Sequence, residues 1–119
     1  MFDFEQLDIY KLSLNFALKI AKEMENIPKG HGSLVDQFRR ASTSIVLNIA
    51  EGAGRSFKNE KKRFYSIAQG SAYECVPLIA LFCELQIIDP EMAKEWKETL
   101  QRIAQMLTKL SQSISNRNK

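Results

Sequence analysis

Apolar residues recur in steps of three and four along most of the chain, and this spacing constrains the fold more than any other feature. It is the period of an α-helix that buries one face. The pattern is interrupted at Pro28 to Gly32, at Gly52 to Gly54 and at Asp89-Pro90. Because the chain has only three prolines and five glycines, the helices between these breaks are long. We predict helices at roughly residues 5–25, 34–52, 57–85 and 90–115.

Short connections between four long helices predict an all-α, antiparallel, up-down-up-down four-helix bundle. A length of 119 residues is typical of one domain, so residues 1–119 are expected to form a single bundle. Ser33 is expected to cap the second helix, and Asp89, followed by Pro90, the fourth. Pro77 lies inside the third helix, but the apolar periodicity resumes beyond it, which predicts a continuous, bent helix.

The second and fourth helices each carry one apolar stripe, which we assign to the core of the bundle. The stripe of the second helix consists of Leu34, Phe38, Ala41, Ile45 and Ile49. The stripe of the fourth consists of Ala93, Trp96, Leu100, Ile103, Leu107, Leu110 and Ile114.

The first and third helices each carry two apolar stripes, on different faces. A helix that is apolar on both faces is buried on both, and in a small protein the second cover is most simply another copy of the chain. To the core we assign Leu7, Tyr10, Leu14, Ala17, Ala21 and Met24, and Phe64, Ile67, Ser71, Glu74, Leu78, Leu81 and Leu85. To a self-association interface we assign Ile9, Leu12, Phe16 and Ile20, and Ala68, Ala72, Cys75, Ile79 and Phe82.

The chain offers little of the chemistry that catalysis or metal binding requires. Its one histidine, His31, lies between two glycines, the usual setting of a solvated turn residue. Cys75 and Cys83 lack the C-x-x-C spacing of a zinc site, so we interpret them as reduced core thiols. The turn from Gly52 to Ser56 lacks the preceding strand and the lysine of a phosphate-binding loop. We therefore predict a protein that is not an enzyme and that has no cofactor or metal.

The sequence shows neither a signal peptide nor a convincing membrane span. The N-terminus, Met1 to Glu5, is acidic rather than basic. The most apolar stretch, Phe64 to Ile88, contains Glu74 and Glu84, whose carboxylates are costly at mid-bilayer depth. We predict a cytoplasmic protein with no membrane contact.

Glu74 lies on the predicted core stripe of the third helix, and a buried carboxylate requires a charged partner. If the second and third helices form a hairpin about residues 54–56, Arg39 lies nearly opposite Glu74. Two interpretations remain open: a catalytic site, and a hydrogen-bonded network that determines the helix register. The residues in question are Arg39, Arg40, Ser44, Asn48, Glu51, Ser71 and Glu74.

Positive charge is concentrated in the middle of the chain. Residues 28–63 hold eight lysines and arginines against three acids, whereas residues 64–90 hold no lysine or arginine. At the start of the third helix, free backbone amides add to this positive potential, and a neighbouring tyrosine ring is suited to stack on a base. A nucleic-acid site and a merely solvated helix end both fit the pattern. The candidate site consists of Arg55, Lys58, Lys61, Lys62, Arg63 and Tyr65.

Three motifs resemble a known family over nearly the whole chain. They are Phe4-Glu5-x-Leu7-x-x-Tyr10-Lys11, Gln37-x-Arg39-Arg40-Ala41-x-x-Ser44-Ile45-x-x-Asn48-Ile49-Ala50-Glu51-Gly52 and Ala68-x-Gly70-Ser71-x-x-Glu74. They resemble the bacterial four-helix bundle proteins named for the protein encoded in 23S rRNA intervening sequences. That family is related to the accessory variability determinant of diversity-generating retroelements. The chain departs from the family at Val46, where proline is frequent, at Lys61, where an apolar residue is common, and at Gln86, where a helix-ending glycine is frequent.

The resemblance implies a bundle assembled as a homopentameric ring. In the retroelement branch it also implies binding of nucleic acid and of a reverse transcriptase. Two functions therefore compete: an oligomeric accessory protein that binds RNA or DNA, and a protein–protein adaptor or scaffold ring that does not. Salt dependence separates them, because phosphate contacts weaken steeply as salt is added.

Overall fold

The computed structural model describes residues 2–116. After a short 3-10 helix, Asp3–Gln6, it contains four α-helices: α1, Asp8–Met24; α2, Gly32–Ala53; α3, Lys58–Glu84; and α4, Pro90–Ser115. The predicted all-α four-helix bundle is confirmed, and the described residues include no strand. The bundle is elongated, with extents of 51 × 24 × 21 Å.

Each helix packs against the next helix in the chain, and α4 packs against α1. The hairpin of α2 and α3 is antiparallel. Close to the connection, the Lys61 ammonium donates a hydrogen bond to the Gly52 carbonyl, and farther away the Ser71 hydroxyl donates one to Ser44. Because α3 has 27 residues, or roughly 40 Å of helix, its surfaces towards α2 and towards α4 extend along most of the bundle.

A single hydrophobic core draws side chains from all four α-helices. The stripes predicted for α2 and α4 are confirmed, with Phe38 and Ile45 fully buried in α2 and Ile103 fully buried in α4. The Phe38 ring lies 5.6 Å from the ring of Phe82 in α3 and 5.6 Å from that of Trp96 in α4, measured between centroids. These aromatic contacts join three helices at one level of the core.

The assignment of core and outer faces was wrong for most of α1 and α3, although Met24, Ser71 and Leu78, which were assigned to the core, are buried as predicted. The residues predicted to form a self-association interface are enclosed by the chain itself, so that interface is wrong. Fully or almost fully buried are Ile9, Phe16 and Ile20 of α1 and Ala68, Ala72, Cys75, Ile79 and Phe82 of α3, while Leu12 is half-buried against the core. Conversely, the stripes assigned to the core leave Leu14, Ile67, Leu81 and Leu85 exposed.

Small side chains explain which face of α3 turns inward. Ala68, Ala72 and Cys75 allow neighbouring helices to approach closely, whereas the opposite stripe carries the ionisable Glu74, which is exposed. Close approach is most evident where α2 ends. A Cβ atom added to Gly52 would lie 2.6 Å from Cε1 of the buried Tyr65 ring, so only glycine fits there.

The helix ends confirm some local predictions and correct one. The Met92 amide donates a hydrogen bond of 2.7 Å to the Asp89 carboxylate, so the predicted cap of α4 is confirmed. Ser33 is not the cap of α2, because the helix already begins at Gly32 and the capping position is His31. Helix α3 continues through Pro77, as predicted, and the bend remains a prediction.

Helix α3 ends in a left-handed residue that is not glycine. Gln86 has φ of +60°, a conformation that glycine adopts at much lower cost. The Gln86 amide donates to the Cys83 carbonyl, and the Ile87 amide donates to the Phe82 carbonyl. This is the Schellman arrangement, which normally takes glycine at the left-handed position. Gln86 therefore occupies the position at which the resemblance implies glycine.

Candidate nucleic-acid interface

The α2–α3 connection places the predicted basic cluster at one end of the bundle. Lys62 and Arg63, in the first two turns of α3, are exposed and form no hydrogen bond or ion pair within residues 2–116. No side chain caps the start of this helix, where the capping position is Phe57. The two side chains are therefore placed to meet an external anion.

Lys61 has a structural role that the sequence analysis did not predict. Its ammonium group donates hydrogen bonds to the carbonyls of Gly52, at 3.2 Å, and Ala53, at 3.0 Å. These carbonyls belong to the last turn of α2, where backbone acceptors lack helical partners and a cation is favourable. Lys61 thus caps α2 from α3 and is directed away from any external phosphate.

Arg55 and Lys58 are also partly engaged within the protein. The Arg55 guanidinium donates to the Glu51 carboxylate at 3.0 Å and lies 4.8 Å above the centre of the Phe64 ring. Half-buried Lys58 takes part in an interaction within the protein. Because Arg55 remains substantially exposed, it adds positive potential to the surface that Lys62 and Arg63 form.

Tyr65 is not available to stack on a base, so this part of the prediction is wrong. Its side chain is only 3% exposed and packs against Gly52. A base could not stack on this ring without opening the α2–α3 contact. The sequence signal was the glycine opposite it, because a bulky ring facing a helix-end glycine is typical of close helix packing.

A groove runs along the junction of α3 and α4, and Lys62 lies at one end of it. It consists of two depressions, of about 840 and 630 Å³, that share Gln69, Thr108 and Gln112. We call it the α3–α4 groove. Its walls combine apolar side chains, such as Val76 and Leu100, with amides, hydroxyls and three lysines, and none of the lining residues within 2–116 is acidic. The lysines are Lys62, Lys97 and Lys109.

Three of the predicted network residues are joined on the other side of α3. The Ser71 hydroxyl donates to the Ser44 hydroxyl at 2.8 Å, and the Asn48 amide donates to both the carbonyl and the hydroxyl of Ser44. These bonds link α2 to α3 in a single register. Glu51 is not part of this network, because its carboxylate pairs with Arg55.

The expected ion pair between Arg39 and Glu74 is absent. Both side chains are exposed, and neither forms an ion pair within the described part of the chain. Glu74 instead lines a depression of about 670 Å³ between α2 and α3, together with Arg40. The prediction failed because it placed Glu74 in the core, where an unpaired charge would be costly.

Exposed apolar side chains flank this depression. Ile67, Leu81 and Leu85 are separated from Glu74 by seven or eleven residues, so all four lie on one face of α3. Ile67 is 41% exposed, Leu81 47% and Leu85 50%, and Leu47 of α2 is 59% exposed. We call this surface the α2 flank; it consists of Arg40, Leu47, Ile67, Glu74, Leu81 and Leu85.

No group of three or more metal-binding side chains occurs within residues 2–116. Cys75 and Cys83 form no disulfide; Cys75 is buried and Cys83 half-buried. Burial of Cys75, reinforced by the negative charge of Glu74, raises its pKa from 9.0 to about 12. The thiol is therefore protonated at neutral pH and a poor nucleophile.

By length and composition, α3 could cross a membrane, and no other described helix passes this test. Its composition follows from its position in the bundle. The apolar stripe from Ala68 to Phe82 is buried against the neighbouring helices, and the exposed faces carry Glu74 and Glu84. A core helix passes the same test as a membrane span, so this finding is weak evidence for a membrane.

Comparison with known proteins places the chain in a family. The family model described as 23S rRNA-intervening sequence protein matches residues 5–109. No curated protein matches the chain. A crystal structure of a protein of unknown function, from the S23 ribosomal protein family of Bacteroides thetaiotaomicron, is similar. It has 21% sequence identity and a TM-score of 0.81, and the similarity covers 87% of this chain and 97% of that chain. At this identity the similarity shows the fold alone; because the family model spans most of the chain, the protein belongs to the 23S rRNA-intervening sequence protein family.

Proposed function

We propose that this protein is an oligomeric, non-enzymatic accessory protein of the cytoplasm that binds RNA or DNA. The observation that carries this proposal is the pair of exposed cations Lys62 and Arg63 beside a groove whose described lining residues include no acid. Exposed cations with no partner within residues 2–116 attract phosphate without reading sequence. Arg55 strengthens the local potential, although part of its charge is compensated by Glu51.

Self-association is the second part of the proposal, and the α2 flank supports it. Large apolar side chains are exposed there beside Arg40 and Glu74, whose opposite charges are unpaired within the described residues. A surface with apolar bulk and both signs of charge can complement another copy of itself. The family resemblance makes five copies the expected number. A ring would repeat the cationic surface once per subunit, and several weak sites on one polyanion reinforce each other.

An electrophoretic mobility assay with structured RNA and with duplex DNA, each at low and moderate salt, tests nucleic-acid binding. The test variant reverses Lys62 and Arg63 to glutamate. Its control reverses Lys22 and Lys29, which are also exposed but lie near the opposite end of α2, where α1 joins it. We expect affinity to fall by about tenfold or more in the test variant, and wild-type binding to weaken steeply with salt.

Equal binding by wild type and the test variant would show that the start of α3 is a solvated helix end. If no nucleic acid binds at low salt, the second candidate function replaces the first. That candidate is an adaptor or scaffold ring, and the exposed Leu47, Leu81 and Leu85 favour it, because apolar docking depends little on salt. In the retroelement branch of the family, the docked protein would be a reverse transcriptase.

A further inference from the structure

The α3–α4 groove has a length and a distribution of positive charge that match an extended polyanion. On α4 its lining extends from Lys97 to Asn116, which corresponds to roughly 28 Å of helix. Lys97 and Lys109 are about 18 Å apart along this axis, and Lys62 adds a third positive charge at the end near Asn116. Positive charge is therefore distributed along the groove, and no described residue of the lining carries a carboxylate to oppose it.

The walls between the lysines combine apolar side chains, such as Val76 and Leu100, with groups that can form hydrogen bonds. Gln69 donates from Nε2 to the Thr108 hydroxyl at 3.1 Å, while its buried Oε1 accepts no hydrogen bond within the described part of the chain. Gln101 and Gln105 add further amides along α4. Amides both donate and accept, so they can pair with base edges or with ribose hydroxyls.

Tyr73 supplies an aromatic surface that the buried Tyr65 cannot. It lines the groove opposite α4 and is 61% exposed. Aromatic rings that protrude into a cationic groove are the usual stacking platforms for unpaired bases, and such stacking tolerates any base. An acidic helical peptide would use the lysines but would gain less from the Tyr73 ring and the amides.

The width of the groove discriminates between single and double strands. Packed helices have axes about 8–10 Å apart, so the cleft between α3 and α4 is too narrow to admit a duplex. A duplex can reach only the lysines on the rim, whereas a single strand can lie between the helices with its bases against the walls. At a stacked rise of about 3.4 Å, the groove holds about eight nucleotides, or fewer if they are extended.

We propose that the α3–α4 groove binds single-stranded nucleic acid, with its lysines on the phosphates and a base stacked on Tyr73. This inference rests on the proposed nucleic-acid function and names the substrate class and the site. Lys62 belongs to both surfaces, so a strand leaving the groove passes directly to Arg63.

The test is fluorescence anisotropy with labelled octamers of uridylate and of thymidylate, and with a duplex of matched length. Two groove variants are compared with wild type: Tyr73→Leu, and Lys97→Gln with Lys109→Gln. The control, Lys94→Gln with Arg102→Gln, removes two exposed cations of α4 that do not line the groove. Melting curves verify that each variant is folded.

We expect wild type to bind both single strands about tenfold more tightly than the duplex. Each groove variant should lose about fivefold to tenfold of single-strand affinity, and the control less than about twofold. The groove proposal would be refuted if single strand and duplex bound with equal affinity and both groove variants bound like wild type. The function proposed for Lys62 and Arg63 would then remain intact. Displacement of the octamer by polyglutamate at equal charge would also refute the groove proposal, since a general polyanion or peptide site would explain the result. Failure of every nucleic acid to bind would reject both proposals.

Discussion

The two sides of α3 present surfaces of opposite character. Towards α2, exposed Ile67, Leu81 and Leu85 accompany the unpaired charges of Arg40 and Glu74. Towards α4, the groove adds lysines, amides and hydroxyls to apolar side chains such as Val76, and its described lining has no acidic residue. Apolar bulk with both signs of charge can complement an identical surface, whereas charge of one sign repels a copy and attracts a polyanion. One helix can therefore serve assembly on one side and ligand binding on the other.

Substitutions at the adjacent residues Leu81 and Phe82 should affect assembly and folding separately, and the effect at Phe82 is the largest expected. Phe82→Glu places a carboxylate in the core and should destabilise the fold by about 4 kcal/mol, because Phe82 is fully buried. Leu81→Glu should leave the melting temperature within a few degrees of wild type, since Leu81 is 47% exposed. Thermal denaturation followed by circular dichroism measures both.

Sedimentation equilibrium completes this comparison. Leu81→Glu should convert an oligomer to a monomer at micromolar concentration, because the α2 flank would have to bury an unpaired carboxylate. Leu18→Glu, a change on α1 at a residue 49% exposed, is the control and should leave the assembly intact. If wild type is itself a monomer, or Leu81→Glu stays associated, the α2 flank is not the interface.

A second adjacent pair should separate stability from nucleic-acid binding. Lys61→Met removes the two hydrogen bonds that cap α2 and should cost about 2 kcal/mol of unfolding free energy. Lys62→Met should leave stability nearly unchanged and weaken single-strand binding, because Lys62 lines the α3–α4 groove. Urea denaturation and anisotropy measure the two effects. The reverse pattern would mean that Lys61, not Lys62, reaches the phosphates.

The buried face between the two sides should respond to alkaline pH through Cys75. An unfolded thiol loses its proton near pH 9, whereas the pKa of Cys75 in the folded protein is about 12. Between these values the unfolded state binds fewer protons, so this contribution to stability is complete below pH 9 and is lost progressively up to about pH 12. The loss should be about 1 kcal/mol at pH 10 and should be missing from the pH profile of Cys75→Ala. Identical profiles for the two proteins would contradict this.

The smallest expected effect is a gain in stability that leaves both sides of α3 unchanged. Gln86→Gly should raise the free energy of unfolding by about 1 kcal/mol, because glycine adopts the left-handed conformation without a Cβ penalty. Calorimetry should show a melting temperature higher by a few degrees, with self-association and octamer binding as in wild type. A lower melting temperature would show that the Gln86 side chain contributes more than its backbone strain costs.

Local sequence rules predicted the core face correctly where a helix carries only one apolar stripe. Helix α4 has a single apolar stripe and an Asp-Pro start, so its core face and its cap followed from periodicity and capping chemistry alone. Helix α3 has two stripes, and periodicity cannot decide between them. Glu74 on one stripe and the small residues Ala68 and Ala72 on the other were the available signals, since charges avoid cores and small residues permit close packing.

In the candidate interface, too, some features could be predicted from the sequence and others depended on the tertiary structure. The sequence alone located the concentration of positive charge at the start of α3, and it offered no zinc motif, with one histidine and two cysteines that lack C-x-x-C spacing. Only the tertiary structure decided which cations are available, since Lys61 bonds to carbonyls of another helix while its neighbour Lys62 is exposed. The α3–α4 groove likewise joins residues about 40 positions apart, such as Gln69 and Thr108.

Helix periodicity is a local property and can be read along the chain. The partner of each side chain depends on how whole helices pack, and that is settled only when all four share one core.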